Sequence, residues 1–310
     1  MTIPWFDAAA IAAACSPARA VAAIDEAVRR GAADADGPGR ISVPLQRGEF
    51  LLMPAEAAGA VGIKVLTVAP GNAAAALPRI QGVYLLFDQT TLAPAAILDG
   101  IALTTLRTPA VSVAAVLPRL RLDTGPLNLV IFGAGPQAIA HEATVRSALE
   151  GVRDIGSVDY VVRDPQRAAT ALGATALVLA SGSPAAASAI READLIVCAT
   201  SAREPLFDSA LVKNTATVIA VGSHEPAARE LDAALFARSF VVVETVAAAL
   251  AEAGDVVLAI GEDAIGADAL VPMADMIGGA VNIPVDRPVV FKSVGMSWQD
   301  LAIAQVVVRA

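Results

Sequence analysis

The chain has 310 residues, 56% of them hydrophobic and 17% charged, with a formal net charge of −9. That length suits two domains, and the apolar content provides for a large core, which excludes an intrinsically disordered chain. An acidic balance with no lysine- or arginine-rich run of five or more argues against nucleic acid or an anionic membrane surface as partner.

In chain order, a helix is predicted over 17–33, opened by Ser16-Pro17. Strand-like runs follow: ISVPLQ (41–46), EFLLMPA (49–55), VGIKVLTV (61–68), GVYLLFD (82–88) and PAAILDG (94–100). They are short, closely spaced and broken by turns such as Pro70-Gly71-Asn72, which predicts an antiparallel sheet. ALTTLRTPAVSVAAVL (102–117) reads as a helix leading out of that domain. From residue 127 the pattern changes to apolar strands alternating with helices. The strands are LNLVIF (127–132), SVDYVV (157–162), ALVLA (176–180), DLIVCAT (194–200), TATVIAVG (215–222) and FVVVET (240–245). The helices cover 136–150, 164–172, 183–193, 230–239 and 246–254. Nearly continuous apolar strands separated by helices predict a Rossmann-type, doubly wound parallel sheet in an α/β protein. RPVVFKSVG (287–295) is a last strand, and SWQDLAIAQVVVRA (297–310) reads as an amphipathic helix returning to the first domain. The expected organisation is a discontinuous α+β domain, residues 1–118 and 291–310, around a Rossmann domain of residues 119–290.

The two cysteines, Cys15 and Cys198, lie far apart in sequence and point to a reducing, cytoplasmic setting. IAAAC (11–15) lacks preceding basic residues, so lipidation is not expected. No stretch of about 18 uninterrupted apolar residues predicts a transmembrane helix. His141 and His224 are the only histidines and belong to no ligand-spaced cluster, so no metal site is expected.

IFGAGPQA (131–138) follows a strand and opens a helix, with the next strand at the right distance, which is the context of a dinucleotide loop. Gly133 makes the turn, Gly135 admits the pyrophosphate, and Pro136, Gln137 and Ala138 begin the helix whose N-terminus receives it. NAD-binding units end the second strand with an acid for the ribose 2′-hydroxyl. Here that position is Val162, followed by Arg163, and Asp164 before Pro165 reads as a helix N-cap. A guanidinium suits a 2′-phosphate, so NADP(H) is favoured, with NAD(H) the alternative. Thr200, Val221 and Ser293 lie at strand or loop ends where they are candidates for contact with nucleotide or substrate.

KVLT (64–67), LDGIALTTLRTPAVS (98–112), GAGPQA, VGSHEPAARELD (221–232) and FKSVGM (291–296), in this order, resemble the ornithine cyclodeaminase/mu-crystallin family over nearly the whole chain. The resemblance implies a homodimer, with an antiparallel substrate and dimerisation domain beside the Rossmann domain. It also implies hydride exchange between a nicotinamide and the α-carbon of a small amino or imino acid. Arg40, Lys64 and Arg107 match the family's carboxylate-binding cations. Three converging cations require an anion between them, and a lysine crowded by cations has a lowered pKa, so Lys64 is also a candidate proton relay.

Ornithine cyclodeaminases carry an aspartate where VGSHEP has His224. An imidazole does not balance a substrate ammonium, though it can act as acid or base, so His224 is a candidate catalytic residue beside Glu225. The residues therefore favour an NAD(P)H-dependent reductase of cyclic imino acids such as pyrroline- or piperideine-2-carboxylate. The alternatives are ornithine cyclodeaminase, alanine dehydrogenase and a non-catalytic nucleotide-binding or storage protein.

Overall fold

The computed structural model describes residues 2–33, 39–57, 59–75, 77–173 and 176–310. The chain divides into two units, one of residues 1–111 and 295–310, the other of residues 112–294. The first begins with β1 (Trp5–Phe6), α1 (Ala8–Ala14) and α2 (Pro17–Arg29). Asp7 caps α1 by accepting from the Ala10 amide at 2.8 Å, and Ser16 caps α2 by accepting from the Arg19 amide. Strands β2 (Ile41–Leu45), β3 (Gly48–Ala57), β4 (Ala60–Val68), β5 (Ile80–Phe87) and β6 (Pro94–Asp99) pair antiparallel in chain order. β1 adds in parallel beside β6, and its two residues carry no readable period.

β4 determines what this sheet presents to its two sides. Ala60, Gly62, Lys64, Leu66 and Val68 are buried, while Val61, Ile63, Val65 and Thr67 are half-buried. The period of 2 thus carries Lys64 into the interior among apolar neighbours, opposite Tyr84 of β5. α3 (Gly100–Leu120) runs without a break through the boundary of the two units. Among the described residues α3 is the single helix long and apolar enough to cross a membrane, and 67% of its most apolar window is buried inside the protein.

The second unit contains β7 (Leu127–Phe132), α4 (Pro136–Leu149), β8 (Ile155–Val162), α5 (Pro165–Leu172), β9 (Leu177–Ala180), α6 (Pro184–Glu192), β10 (Leu195–Cys198) and β11 (Thr217–Ala220). It continues through α7 (Ala233–Arg238), β12 (Phe240–Val243), α8 (Val246–Glu252), α9 (Gly254–Gly261), β13 (Leu270–Pro272), α10 (Met273–Gly278) and β14 (Val289–Lys292). All eight strands are parallel, in the order β13-β12-β14-β11-β10-β7-β8-β9. The predicted α/β class is therefore the observed one. The segment 255–286, which the sequence left unassigned, supplies most of α9, all of β13 and α10, and β14 inserts between β11 and β12. The order reverses between β7 and β10, so the loop after β7 leaves the sheet at a topological switch point.

α11 (Ser297–Val308) returns to the first unit and packs on β3, β4, β5 and α2. The reading of this helix as amphipathic is corrected. Trp298, Gln299, Asp300, Leu301, Ile303, Ala304 and Val307 are all buried, so polar residues share its buried surface with apolar ones. They can do so because they find charged partners on other elements.

Gly133 ends β7 with φ +107°, and a Cβ there would lie 2.6 Å from the Ala199 carbonyl oxygen after β10. Gly133→Ala is expected to lower the unfolding free energy by roughly 1–3 kcal/mol from backbone strain alone. Urea denaturation followed by circular dichroism measures it, and an unchanged midpoint would refute this account of the turn.

Candidate functional site

In the first unit, three of the residues singled out from sequence come together. Lys64 is 1% exposed, and its Nζ donates to Asp300 Oδ2 at 2.7 Å and to Thr104 Oγ1 at 3.4 Å. Arg107, from α3, donates through Nη1 to Gln299 Oε1 at 2.9 Å, and its Nε lies 3.7 Å from Asp300 Oδ1. Arg40, half-buried before β2, donates to the Gly295 carbonyl at 3.5 Å, and its charge acts on Lys64. Gly295 has φ +85°, and a Cβ there would sit 2.7 Å from Arg107 Nη1, so the backbone yields its space to the guanidinium.

The anion these cations require is in part intramolecular. Asp300 is 0% exposed and was not singled out from the sequence, because one acid in an apolar helix has the look of a solvated face. Lys64 and Arg107, two buried cations, share this one carboxylate, so the three groups together keep a positive charge. Arg107 Nε, Asp300 Oδ1 and Tyr84 Oη are buried with no hydrogen-bond partner among the described residues. Buried polar atoms left over in this way are what a polar ligand would satisfy. Burial pushes the Lys64 ammonium down to about 8; Asp300 opposes the shift while Arg107 and Arg40 add to it. Burial and the Asp300 charge hold the Tyr84 phenol protonated.

In the second unit, parallel register brings the other candidates to one edge of the sheet. Phe132 pairs with Cys198, Cys198 with Ala220, and Ala220 with Lys292, so the loops that follow leave side by side. Gly135 is the N-cap of α4 and makes no side-chain cap, whereas Asp164, Ser183, Asp232 and Thr245 cap α5, α6, α7 and α8. A Cβ on Gly135 would meet nothing within 4 Å, which leaves the helix N-terminus open to an anion. Pro136 occupies the first turn, Gln137 is half-buried, and Ala138 is fully buried against the sheet. The geometry fits a dinucleotide pyrophosphate. Arg163 is exposed directly after β8, and Asp164 accepts from the Arg167 amide at 3.1 Å as the N-cap of α5.

The strand-end candidates are fixed by buried carboxylates that the sequence reading missed. Thr200 donates both its amide and its hydroxyl to Glu230 Oε1, at 2.8 and 2.7 Å, and Glu230 Oε2 accepts from the Gly222 amide. Val221 donates its amide to the Cys198 carbonyl. Ser293 donates to Glu244 Oε1 at 3.0 Å. Asp255 accepts from the amides of Glu230 and Leu231 and pairs with Lys292 at 2.9 Å, while Lys292 also donates to the Ser223 carbonyl. The Glu230 carboxyl is pushed up by burial, against the pull of Lys292. His224 is exposed on the loop after β11, and Glu225 is exposed and paired with Arg203 at 2.7 Å. His141 is buried within α4, where burial pushes its imidazole down to about 4. Its Nδ1 lies 2.7 Å from the Gln137 carbonyl, a packing role. Among the described residues no group of three or more His, Cys, Asp and Glu side chains is placed to hold a metal.

Comparison with known proteins gives the family and the fold. The mouse protein named ketimine reductase mu-crystallin is 32% identical over 274 residues, with 87% of this chain and 83% of that protein covered. The Delta(1)-pyrroline-2-carboxylate reductase of Bacillus thuringiensis is 35% identical over 281 residues, covering 86% of this chain and 84% of that protein. The solved structure of the iminosuccinate reductase of Paracoccus denitrificans in complex with NAD+ superposes with a TM-score of 0.84 at 25% identity, covering 99% of this chain and 95% of that one. A sequence profile of the ornithine cyclodeaminase/mu-crystallin family matches residues 7–309, and the chain belongs to that family.

Proposed function

We propose that this protein is an NAD(P)H-dependent reductase of small cyclic imino acids, with pyrroline- or piperideine-2-carboxylate as substrate. The observation that carries the reading is the buried pair of cations, Lys64 and Arg107, sharing the Asp300 carboxylate, with the half-buried Arg40 acting on Lys64. Kinship to a pyrroline-2-carboxylate reductase and to a ketimine reductase supports it. The Gly133–Ala138 turn would hold a nicotinamide dinucleotide, which would supply the hydride that C2 of the imine requires. Arg40 and Arg107 hold the substrate carboxylate, a planar anion that guanidinium groups bind through paired hydrogen bonds. Lys64 then serves as acid: its proton goes to the ring nitrogen as the C=N bond is lost, and solvent restores it. His224 stands where ornithine cyclodeaminases carry aspartate, and its exposure gives a substrate ammonium no counter-charge, which counts against cyclodeamination.

NADP(H) is the preferred nucleotide in this reading. Arg163 is exposed after β8 and Asp164 is engaged in capping, so a guanidinium rather than a carboxylate is available to the ribose. Cys15 and Cys198 are free, buried thiols, which supports a cytoplasmic setting. A homodimer is supported by the outer side of the antiparallel sheet. Leu52, Val65 and Val83 line up across β3, β4 and β5, as do Pro54, Ile63 and Leu85, with all six half-buried. Such a side is polar when it meets only water, so an apolar one fits a second copy of the chain.

With pyrroline-2-carboxylate the protein is expected to oxidise NADPH faster than NADH, followed by nicotinamide absorbance, and ornithine with NAD+ should yield no ammonia; ammonia and proline from ornithine would overturn the reading. Arg163→Ala should raise KM for NADPH about tenfold, the loss of one charge-assisted hydrogen bond, and spare NADH. Turnover should fall as pH rises through about 8, where Lys64 loses its proton. Lys64→Met should lower kcat by ~100-fold or more while NADPH fluorescence titration gives an unchanged Kd. Sedimentation should give a dimer that Ile63→Asp converts to a monomer; a monomeric wild-type protein would contradict the proposed interface.

A further inference from the structure

The chain contains three lysines against nineteen arginines. Two of the three, Lys64 and Lys292, are 1% exposed, in a location where lysine is among the rarest of residues. Each is paired with a buried aspartate, Lys64 with Asp300 at 2.7 Å and Lys292 with Asp255 at 2.9 Å. Arg107, Arg119 and Arg153 are buried as well, at 5–7% exposure, but the two most deeply buried cations are lysines. The chemical difference is that an ammonium is compact and can give up its proton near neutrality, whereas a guanidinium cannot.

Lys64 is surrounded by Asp300 from α11, Arg107 from α3, Arg40 from the segment before β2, and Tyr84 from β5. Among these four groups Asp300 brings the negative charge. Burial and both guanidinium groups drive the proton off Lys64, and Asp300 alone among these charges holds it on. α11 also orients the second cation, because Gln299, one residue earlier, accepts from Arg107 at 2.9 Å. One turn of one helix thus sets the position of two cations on different elements. Resting on the reductase reading above, we propose that Asp300 is a positioning residue that keeps Lys64 protonated and aimed until the imine nitrogen takes the proton. In that step the nitrogen–carbon π bond breaks, C2 gains hydride from the nicotinamide, nitrogen gains the Lys64 proton, and the neutral amine of Lys64 is re-protonated from water. In this role Asp300 acts through Lys64, to which it accepts at 2.7 Å.

The scarcity of lysine makes the test direct. Protein labelled with 13C at the lysine ε-carbon gives three resonances, and Lys64→Arg assigns the one from Lys64. In the wild-type protein that resonance is expected to titrate near 8. In Asp300→Asn the midpoint is expected to fall by at least about one pH unit, the effect of losing an adjacent opposite charge, and Asp300→Glu should restore most of it. The alkaline limb of kcat/KM for the imine should move with the resonance. An unmoved Lys64 midpoint in Asp300→Asn overturns the proposal, as does a loss of rate that is uniform across pH. Absence of imine reduction by the wild-type protein would instead remove the reductase reading, while the NMR midpoint would still decide whether Asp300 governs Lys64. If Asp300→Asn does not fold, Lys64→Met/Asp300→Asn should fold, since it removes the unpaired ammonium; failure of the double variant would also overturn the proposal.

Discussion

An ammonium buried between a sheet and a helix is the constraint on which the first unit depends. Strand periodicity fixes Lys64 on the inner side of β4, and desolvating a charge costs several kcal/mol unless a partner answers it. The partner, Asp300, lies 236 residues further along the chain. The last helix must therefore return to the first unit, which makes that unit discontinuous. The same demand explains why α11 buries Gln299 and Asp300 with its apolar residues, and why a glycine in the left-handed region precedes it, leaving room for Arg107. Because one carboxylate answers both buried cations, Lys64 and Arg107, the cluster remains suited to a further anion.

The second unit solves a different problem by a related route. A parallel sheet delivers several chain segments to one edge, but the strand-end loops need fixing if they are to meet a ligand in a defined way. Glu230, Glu244 and Asp255 do this from within. Each carboxylate accepts from two or more backbone amides or hydroxyls, tying the loop after β10 to the loop after β11 and Ser293 to the end of β12. The turn after β7 is built differently: Gly135 leaves the α4 terminus without a side-chain cap, at the switch point of the sheet, an arrangement that serves an incoming phosphate.

Much of this was legible in the sequence, and what was not has a common physical reason. Residues 127–132 and 157–162 were readable as strands, because fully buried strands make uninterrupted apolar runs. The cation cluster was legible through Lys64 and Arg107, whose surrounding motifs resemble those of the family. The insertion of β14 between β11 and β12 was not, since pairing order leaves no trace in local period. Nor were Asp300, Glu230 and Asp255, although Glu230 lies in the quoted segment VGSHEPAARELD. A buried acid looks like a surface acid until its partner is known, and these partners lie between 8 and 236 residues away. One inference within reach was stopped halfway: three converging cations imply an anion, and a substrate was supplied where part of the answer was a side chain.

The two buried lysine–aspartate pairs separate a structural use of charge from a chemical one. Lys292 spends its donors on the Ser223 carbonyl and Asp255, and Asp255 in turn accepts from two backbone amides. The pair is enclosed by backbone and holds a loop in place. Lys64 has a carboxylate and a threonine hydroxyl at 3.4 Å as acceptors, and its other charged neighbours, Arg107 and Arg40, repel it. The same pairing of residue types is thus stable in one setting and poised in the other. What distinguishes them is whether the remaining hydrogen-bonding capacity is consumed by the backbone or left facing other cations. A cation that its neighbours oppose and one carboxylate retains is arranged to part with its proton when a better acceptor arrives, and an imine nitrogen gaining electron density is such an acceptor.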